Sequence, residues 1–580
     1  MRSNRLRNLL SNGPLFGWAV VVAALVACGP PGDPDAPAEP VASLVDETPG
    51  SGDTPADEGS AAAAEDADTQ AVADEPAAPV LPDEVPVRRA TSSLEVGRPG
   101  GTIVAGGLTI EVAEGTLTEV ETIEAAIVVD AEELDRPLPT GLILGAYRTG
   151  PWNLDTRRSI RVTTPLNRQL EPGLELELLA WQPSMRAFIV AGDARVDETG
   201  RSATFSSRQL GDLMVRAKPV RTEEAVANCP QDRMRLHESW PGSSEDDVVG
   251  LTPVEERIAR TDAFNQLTDY RLAPHVHRVE FKNEEVVDNP STRRDELATV
   301  DEDFLMDPNL SAAVMALGWF VENEWIDPLT GEPAYRLRLT EAYDSLIEHS
   351  RQSTHYQGRA ADITLSPVPA ANGDVRRDIY GRLSALSVCS GFDYVLFENQ
   401  FHIHASVVAS EVALVTHADD GTYDIALARF DGGLRTVESG IGWDAAEVEL
   451  ADFRYEAPGR FEVRGQRAGQ GEERFVLTRS GLRADPPSDV ELAALQQPDV
   501  DPAISPDGLR RVVVRDGRAF VTYTTPLPPP GSVDREGIPL HVEYPLPLGG
   551  PGVRVVDAAF RDHPRTREAL ARIRALEATP

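Results

Sequence analysis

Hydrophobic and polar positions alternate with a period of two from about Ser92, where Gly100-Gly-Thr-Ile-Val-Ala-Gly-Gly107-Leu-Thr-Ile-Glu-Val112 predicts short strands joined by glycine turns. Strand-like runs follow at Ile123–Val129, Ser159–Thr164, Leu174–Ala180 and Ala203–Ser206, and the pattern closes near Arg216. The period changes further on. Ala312, Met315, Ala316 and Phe320 recur at helical spacing, which predicts a helix over Leu310–Trp325 with a buried stripe. A second helix is expected over Arg377–Ser390, stopped by Gly391. Between them Asp362-Ile-Thr-Leu-Ser reads as a strand, with Asp362 and Thr364 on one face and Ile363 and Leu365 turned to the core. His402-Ile-His404 places two imidazoles on one face of a strand and Ile403 on the other. His275 and His277 alternate on an expected strand and are given no role. Beyond Ala409 short strands return at Tyr423–Phe430, Arg460–Arg464, Arg474–Thr478 and Arg511–Arg515. The chain ends in a helix over Glu568–Leu576 with Ala569, Ile573 and Leu576 on one side.

The N-terminal ninety residues follow no such pattern. Arg2, Arg5 and Arg7 precede an apolar run, Leu15 to Val26, too short for a membrane span, and then Leu25-Val-Ala-Cys28-Gly29. This resembles a bacterial lipobox. The resemblance implies a signal peptide over 1–28, a lipid on Cys28 after cleavage, and, with Gly29 rather than Asp next, sorting to the outer membrane. Residues 29–90 are Ala, Pro, Asp, Glu, Gly, Ser and Thr with almost no aromatics, too little apolar surface to offset the entropy of ordering them, and read as a disordered acidic tether. About 490 residues remain after it, enough for two to four domains. The formal charge of −39, from 55 Lys and Arg against 94 Asp and Glu, argues against nucleic acid and against electrostatic attraction to anionic lipid.

The chemistry concentrates in one place. Four of the ten histidines fall between His349 and His404. His355, Asp362 and His404 offer two nitrogens and a carboxylate oxygen, and three protein ligands with a fourth position left to water is the pattern of a catalytic zinc site. Glu398 is close enough in sequence to take a proton from that water, and His349 and His402 remain as supporting donors. Glu284, Glu285, Glu341 and Asp344 form an acidic set, read either as an oxygen cage for calcium or as a solvated acidic face. With Cys28 assigned to lipid, Cys229 and Cys389 are left. An oxidising compartment would let them pair, but nothing in the sequence sets them side by side, so Cys389 is expected as a small buried hydrophobe.

Ser353-Thr-His355-Tyr-Gln-Gly358-Arg-Ala-Ala-Asp362-Ile-Thr, followed by Gly391-Phe-Asp-Tyr, Glu398 and His402-Ile-His404-Ala-Ser-Val, resembles the Hedgehog signalling domain and, through it, the zinc D-Ala-D-Ala carboxypeptidases and related murein peptidases. The resemblance runs from His275 to Val408 and includes Phe281-Lys-Asn-Glu284-Glu285 and Leu337-Arg-Leu-Thr-Glu341-Ala-Tyr-Asp344. It implies zinc on His355, Asp362 and His404, a site lined by Glu398, His402 and His349, and calcium on Glu284, Glu285, Glu341 and Asp344. Two departures bear on calcium: Leu346 stands where the family has a further acid, and Asp288 is offset from the usual next one. A third bears on activity: Glu341-Ala-Tyr-Asp344 stands where the carboxypeptidases carry an Arg for the substrate carboxylate, so strict removal of a C-terminal residue is not expected.

Upstream, Gly106-Gly107-Leu-Thr-Ile, Pro151-Trp152, Leu179-Ala-Trp181 and Thr204-Phe-Ser-Ser-Arg-Gln-Leu-Gly resemble a ZU5-like β-sandwich, with Trp152 and Trp181 in its core and a spacer or protein-binding role. Downstream, Asp501-Pro-Ala-Ile-Ser-Pro-Asp-Gly508 resembles one blade of a TolB-like propeller, but about 130 residues are too few to close one. The expected architecture is therefore multidomain: a ZU5-like sandwich (91–220), an α+β Hedgehog/D-Ala-D-Ala-peptidase-like zinc domain (221–410), and a β-rich accessory domain with a terminal helix (411–580). Two functions stand: a lipid-anchored zinc peptidase of the cell envelope acting on peptidoglycan stem peptides, or a zinc- and calcium-stabilised module binding protein or glycan.

Overall fold

The computed structural model describes residues 81–151, 156, 158–222, 228–230, 258, 263, 266–282, 302–344, 353–369, 373–399, 401–419, 421–429, 434–444, 448–457, 460–467, 471–478, 481–483, 503–524, 543–546, 552–560 and 564–577. Cys28, residues 29–80 of the expected tether, Trp152, Glu284, Glu285, Asp288, Leu346 and His349 lie outside these residues. Residues 81–90, expected as the end of the tether, are described and lie on the sandwich: Val85 donates its amide to the Asn167 carbonyl and Arg168 donates to the Pro82 carbonyl, each at 2.7 Å, and a strand begins at Ala90. Among the described residues no helix is long and apolar enough to cross a membrane. The chain is multidomain, rich in sheet and poor in helix.

The N-terminal alternation folds into two facing antiparallel sheets. One is six-stranded, in the order Ala90–Val96, Glu121–Val128, Ile143–Gly150, Asp212–Ala217, Glu175–Gln182, Ala187–Arg195. The other runs Gly101–Ala105, Leu108–Val112, Ile160–Pro165, Ser202–Ser207. Ile103, Leu108, Ile110, Val162 and Phe205 of the second meet Ile123, Leu178, Leu213 and Val215 of the first in one buried cluster. Gly106 and Gly107, at φ 56° and 103°, make the two-residue turn between Ala105 and Leu108, a conformation that glycine adopts without a Cβ penalty.

The histidine-bearing region is built on a mixed five-stranded sheet ordered Val279–Phe281, Arg336–Glu341, Ala360–Ser366, His402–Ser406, Tyr394–Asn399. Helix α1 (Pro308–Glu324) is capped by Asp307, which accepts the Asn309 amide. Helix α2 (Gly373–Cys389) ends at Gly391, φ 103°. Leu317, Phe320 and Val321 of α1 and Leu383 and Leu386 of α2 share a buried cluster with Leu337, Leu339, Ile363, Leu365, Ile403 and Ala405 of the sheet. Both helices form where expected, and Ile363, Leu365 and Ile403 enter the core; α1, however, is buried on nearly every face rather than along one stripe, and Met315 of the expected stripe is only partly buried.

Further expectations change. His275 and His277 are not on a strand: His275 takes a left-handed φ of 63° and leads a 3₁₀ turn over Val276–Arg278. Cys229 and Cys389 are disulfide-bonded, 160 residues apart in sequence. The third helix, α3 (Pro564–Glu577), was grouped with the C-terminal strands by its place in the chain, yet Ala569, Leu570 and Ile573 join the α1 cluster. Last, Trp181 is only partly buried and packs on a separate cluster with Leu134 and Phe188, outside the core between the two sheets. The sandwich is also joined to the histidine-bearing sheet by direct contacts. Val220–Arg221 pairs with Trp325–Ile326, Leu142 donates its amide to Asp327 at 2.7 Å, and Val368 exchanges backbone hydrogen bonds with Phe188 and Val190 at 2.8 and 3.0 Å.

The C-terminal strands form three further sheets of four, four and three strands among the described residues.

Candidate metal centre

The local sequence explains how His355 and Asp362 are delivered. Ser353 accepts the His355 amide and starts a 3₁₀ turn over Thr354–Gln357. Gly358, at φ 62°, ends the turn in a conformation that favours glycine, and a Cβ there would stand 2.7 Å from the Leu267 side chain and push it aside. The chain then enters the Ala360–Ser366 strand, in which Asp362 pairs directly with His404 of the antiparallel neighbour.

The three groups converge. His355 Nε2 lies 3.2 Å from His404 Nδ1 and 3.4 Å from Asp362 Oδ1, and His404 Nδ1 lies 3.1 Å from the same oxygen. A tetrahedral ion with bonds of about 2.0–2.1 Å holds its ligands about 3.3 Å apart, so the spacing fits zinc. His355 is 1 % exposed, and its Nδ1 stands 2.6 Å from the Ala342 carbonyl. A carbonyl can only accept, so Nδ1 carries the proton and Nε2 presents its lone pair to the cluster. Burial pushes the Asp362 carboxyl up. The surrounding imidazoles of His355, His404 and His402 outweigh it and hold the group well below the usual carboxylate range. The group is thus an anion at neutral pH, as a metal ligand must be.

Asp362 also faces a second group. His402 Nε2 lies 3.4 Å from Asp362 Oδ2 and 3.1 Å from Glu398 Oε2. His355, Asp362 and His404 form one potential metal-holding set, and Asp362, Glu398 and His402 another. Glu398 is 48 % exposed and sits where the register slips between Leu396 and Asn399, an irregularity that re-aims a side chain. Tyr394 stands edge-on to His404 at 6.3 Å between ring centroids and walls the imidazole.

Of the acidic set, Glu341 and Asp344 are described. Their segment touches His355 twice: through the Ala342 carbonyl, and through the Asp344 amide, which donates to the His355 carbonyl at 3.3 Å. Asp303, which sequence reasoning passed over, accepts the Ala342 amide at 3.2 Å and brings a further carboxylate to this segment. Its one signal was its place in the acidic run Asp301-Glu-Asp303.

Residues 230–406 match the family model of the Hedgehog amino-terminal signalling domain. Over 134 residues the chain is 37 % identical to the Indian hedgehog protein of Gallus gallus, covering 23 % of this chain and 29 % of that protein. It is 37 % identical over 170 residues to the Sonic hedgehog protein of Xenopus laevis, covering 29 % and 31 %. To the Protein hedgehog of Drosophila ananassae it is 32 % identical over 150 residues, covering 25 % and 29 %. The chain therefore spans less than a third of the length of these relatives, and the segment that carries His355, Asp362, Glu398, His402 and His404 is Hedgehog-like.

Proposed function

We propose that this chain is a zinc-dependent peptidase of the cell envelope, acting within peptides of the peptidoglycan stem class. The observation that carries it is the coexistence of a three-ligand set at zinc spacing with a half-exposed carboxylate beside it. A purely structural zinc takes four protein ligands and needs no base. His355, Asp362 and His404 would hold the ion, which when bound would supply a Lewis acid toward a water and a peptide carbonyl. Glu398 takes and returns the proton. His402, with carboxylates beside its Nε2, orients Glu398 toward the cluster. The test is incubation of the purified, zinc-loaded full chain with muropeptides and mass spectrometry of the products. Shortened stems are expected. A chain with full zinc that cleaves no muropeptide sinks the reading.

A second reading, a metal-stabilised module that binds protein or glycan, is supported by the likeness to a signalling domain. It predicts binding without turnover and gives Glu398 no role.

The proposal includes two further sites. Asp303, Glu341 and Asp344, with Glu284 and Glu285, supply hard oxygen ligands for calcium, and the Ala342 carbonyl couples them to His355. At a Kd of about 10⁻⁴ M, 10 mM calcium should add about 2.7 kcal/mol of stability by mass action, visible as a rise in Tm. An unchanged Tm leaves these as solvated acids. Lipid on Cys28 anchors the chain to the outer membrane, and the Cys229–Cys389 disulfide supports an oxidising compartment. Cys28→Ser should release the protein to the soluble envelope fraction; retention in the membrane fraction refutes the anchor.

A further inference from the structure

Beside the metal cluster lies a cleft of about 240 Å³ whose lining comes from two domains: Ser184 and Met185 of the sandwich, and Thr340, Asp362, Phe401 and His402 of the Hedgehog-like sheet. We propose that this cleft is the groove in which the substrate peptide lies, and that its apolar lining, Met185 of the sandwich wall and Phe401, selects a small apolar residue next to the scissile bond. The proposal rests on the peptidase reading and adds a specificity role for a domain that the sequence suggested only as a spacer or docking module.

Three features hold this wall in place. Arg338, whose side chain is 2 % exposed and which pairs with Glu280, donates from Nη2 to the Met185 carbonyl at 2.7 Å. Met185 packs on the buried cluster of Ala187, Ile189 and Val368. Val368 is two residues beyond the strand that bears Asp362, and its backbone is hydrogen-bonded to Phe188 and Val190. The sandwich turn and the Asp362 carboxylate therefore ride on one hydrogen-bonded frame. Sites on such elements keep their geometry better than sites on free loops. The turn ends in Arg186 at φ 48°, a left-handed conformation unusual for a side-chain-bearing residue and retained where structure around it demands it.

The chemistry of the lining sets the occupant. Among the described residues, Phe401 is the one aromatic of ten large apolar side chains left exposed, at 38 %, and it precedes His402 in sequence. An exposed aromatic at a concave site marks ligand contact. Lys282 and Glu341 also border the cleft with opposite charges, so the lining favours neither sign. Clefts for drug-sized ligands run about 300–1,000 Å³. This one is smaller, and it takes a residue or two on one side of the bond cleaved.

Two substitutions and one spectroscopic measurement test this. Ser184 is exposed, so Ser184→Trp should fold and fill the cleft. Its kcat/KM on muropeptides should fall at least tenfold, mainly through KM, with zinc content and Tm unchanged. Met185→Ala should relax selectivity toward larger residues in a peptide library. In full chain labelled with [methyl-¹³C]methionine, the Met185 resonance, assigned with Met185→Leu, should shift on titration with muropeptide. Cleavage by Ser184→Trp equal to wild type overturns the proposal. If wild type cleaves nothing, the peptidase reading fails separately: a Met185 shift then keeps the cleft as a peptide groove, and no shift at millimolar muropeptide removes it.

Discussion

Glu398→Ala should keep its zinc and its Tm and lose peptide cleavage, whereas His404→Ala should lose the metal. The two substitutions separate because the residues sit differently. Glu398 is half exposed, and its side-chain hydrogen bond among the described residues is to His402, so little of the fold depends on it. Removing a positioned general base costs about 10²–10⁴-fold in rate. His404 is one of three groups converging within 3.4 Å, and its Nδ1 is a hydrogen-bond partner of the buried Asp362 carboxylate. Alanine there leaves two ligands and an anion short of a partner. Metal content by elemental analysis, Tm and product formation read the three effects independently. Turnover by Glu398→Ala at the wild-type rate would remove Glu398 as base and with it the main support for a hydrolase.

How far the sequence reached depends on distance along the chain. The His402-x-His404 alternation and the strand at Asp362 were legible because a strand period is local physics. The 3₁₀ turn that Ser353 opens and Gly358 closes carries the same kind of local signal, yet only the strand after it was read. Glu398 was legible as a nearby carboxylate, but its place was not: only the register slip between Leu396 and Asn399 turns it toward His402. The lock on His355 comes from the Ala342 carbonyl, a backbone atom that carries no residue signal. Asp303 reaches Ala342 across 39 residues, and Cys229 reaches Cys389 across 160. Neither approach has a period or motif that announces it. The terminal helix shows the same limit. Its apolar side, Ala569 and Ile573, was readable, while the surface that it covers on α1 depends on the whole intervening chain.

Glu324→Ala should destabilise the chain by about 3–5 kcal/mol, a loss typical of breaking a buried ion pair from one side. Glu324 is fully buried at the end of α1 and receives two guanidinium groups: Arg382 of α2, through Nε and Nη2 at 2.8 Å each, and Arg221 at 2.5 Å. Arg382 is itself 3 % exposed and also donates to the Cys229 carbonyl at 2.9 Å. One carboxylate thus joins both helices of the Hedgehog-like sheet, the disulfide-bonded segment and the strand arriving from the sandwich. Alanine leaves Arg382 charged, buried and short of its partner, and desolvation without compensation is the larger part of the cost. Replacing both members, Glu324→Met with Arg382→Met, removes the stranded charge and should recover much of the loss. Chemical denaturation of Glu324→Met, Arg382→Met and the double variant closes the cycle. A single Glu324→Ala variant within 1 kcal/mol of wild type would show that water reaches this junction and that its charges do not hold the domains together.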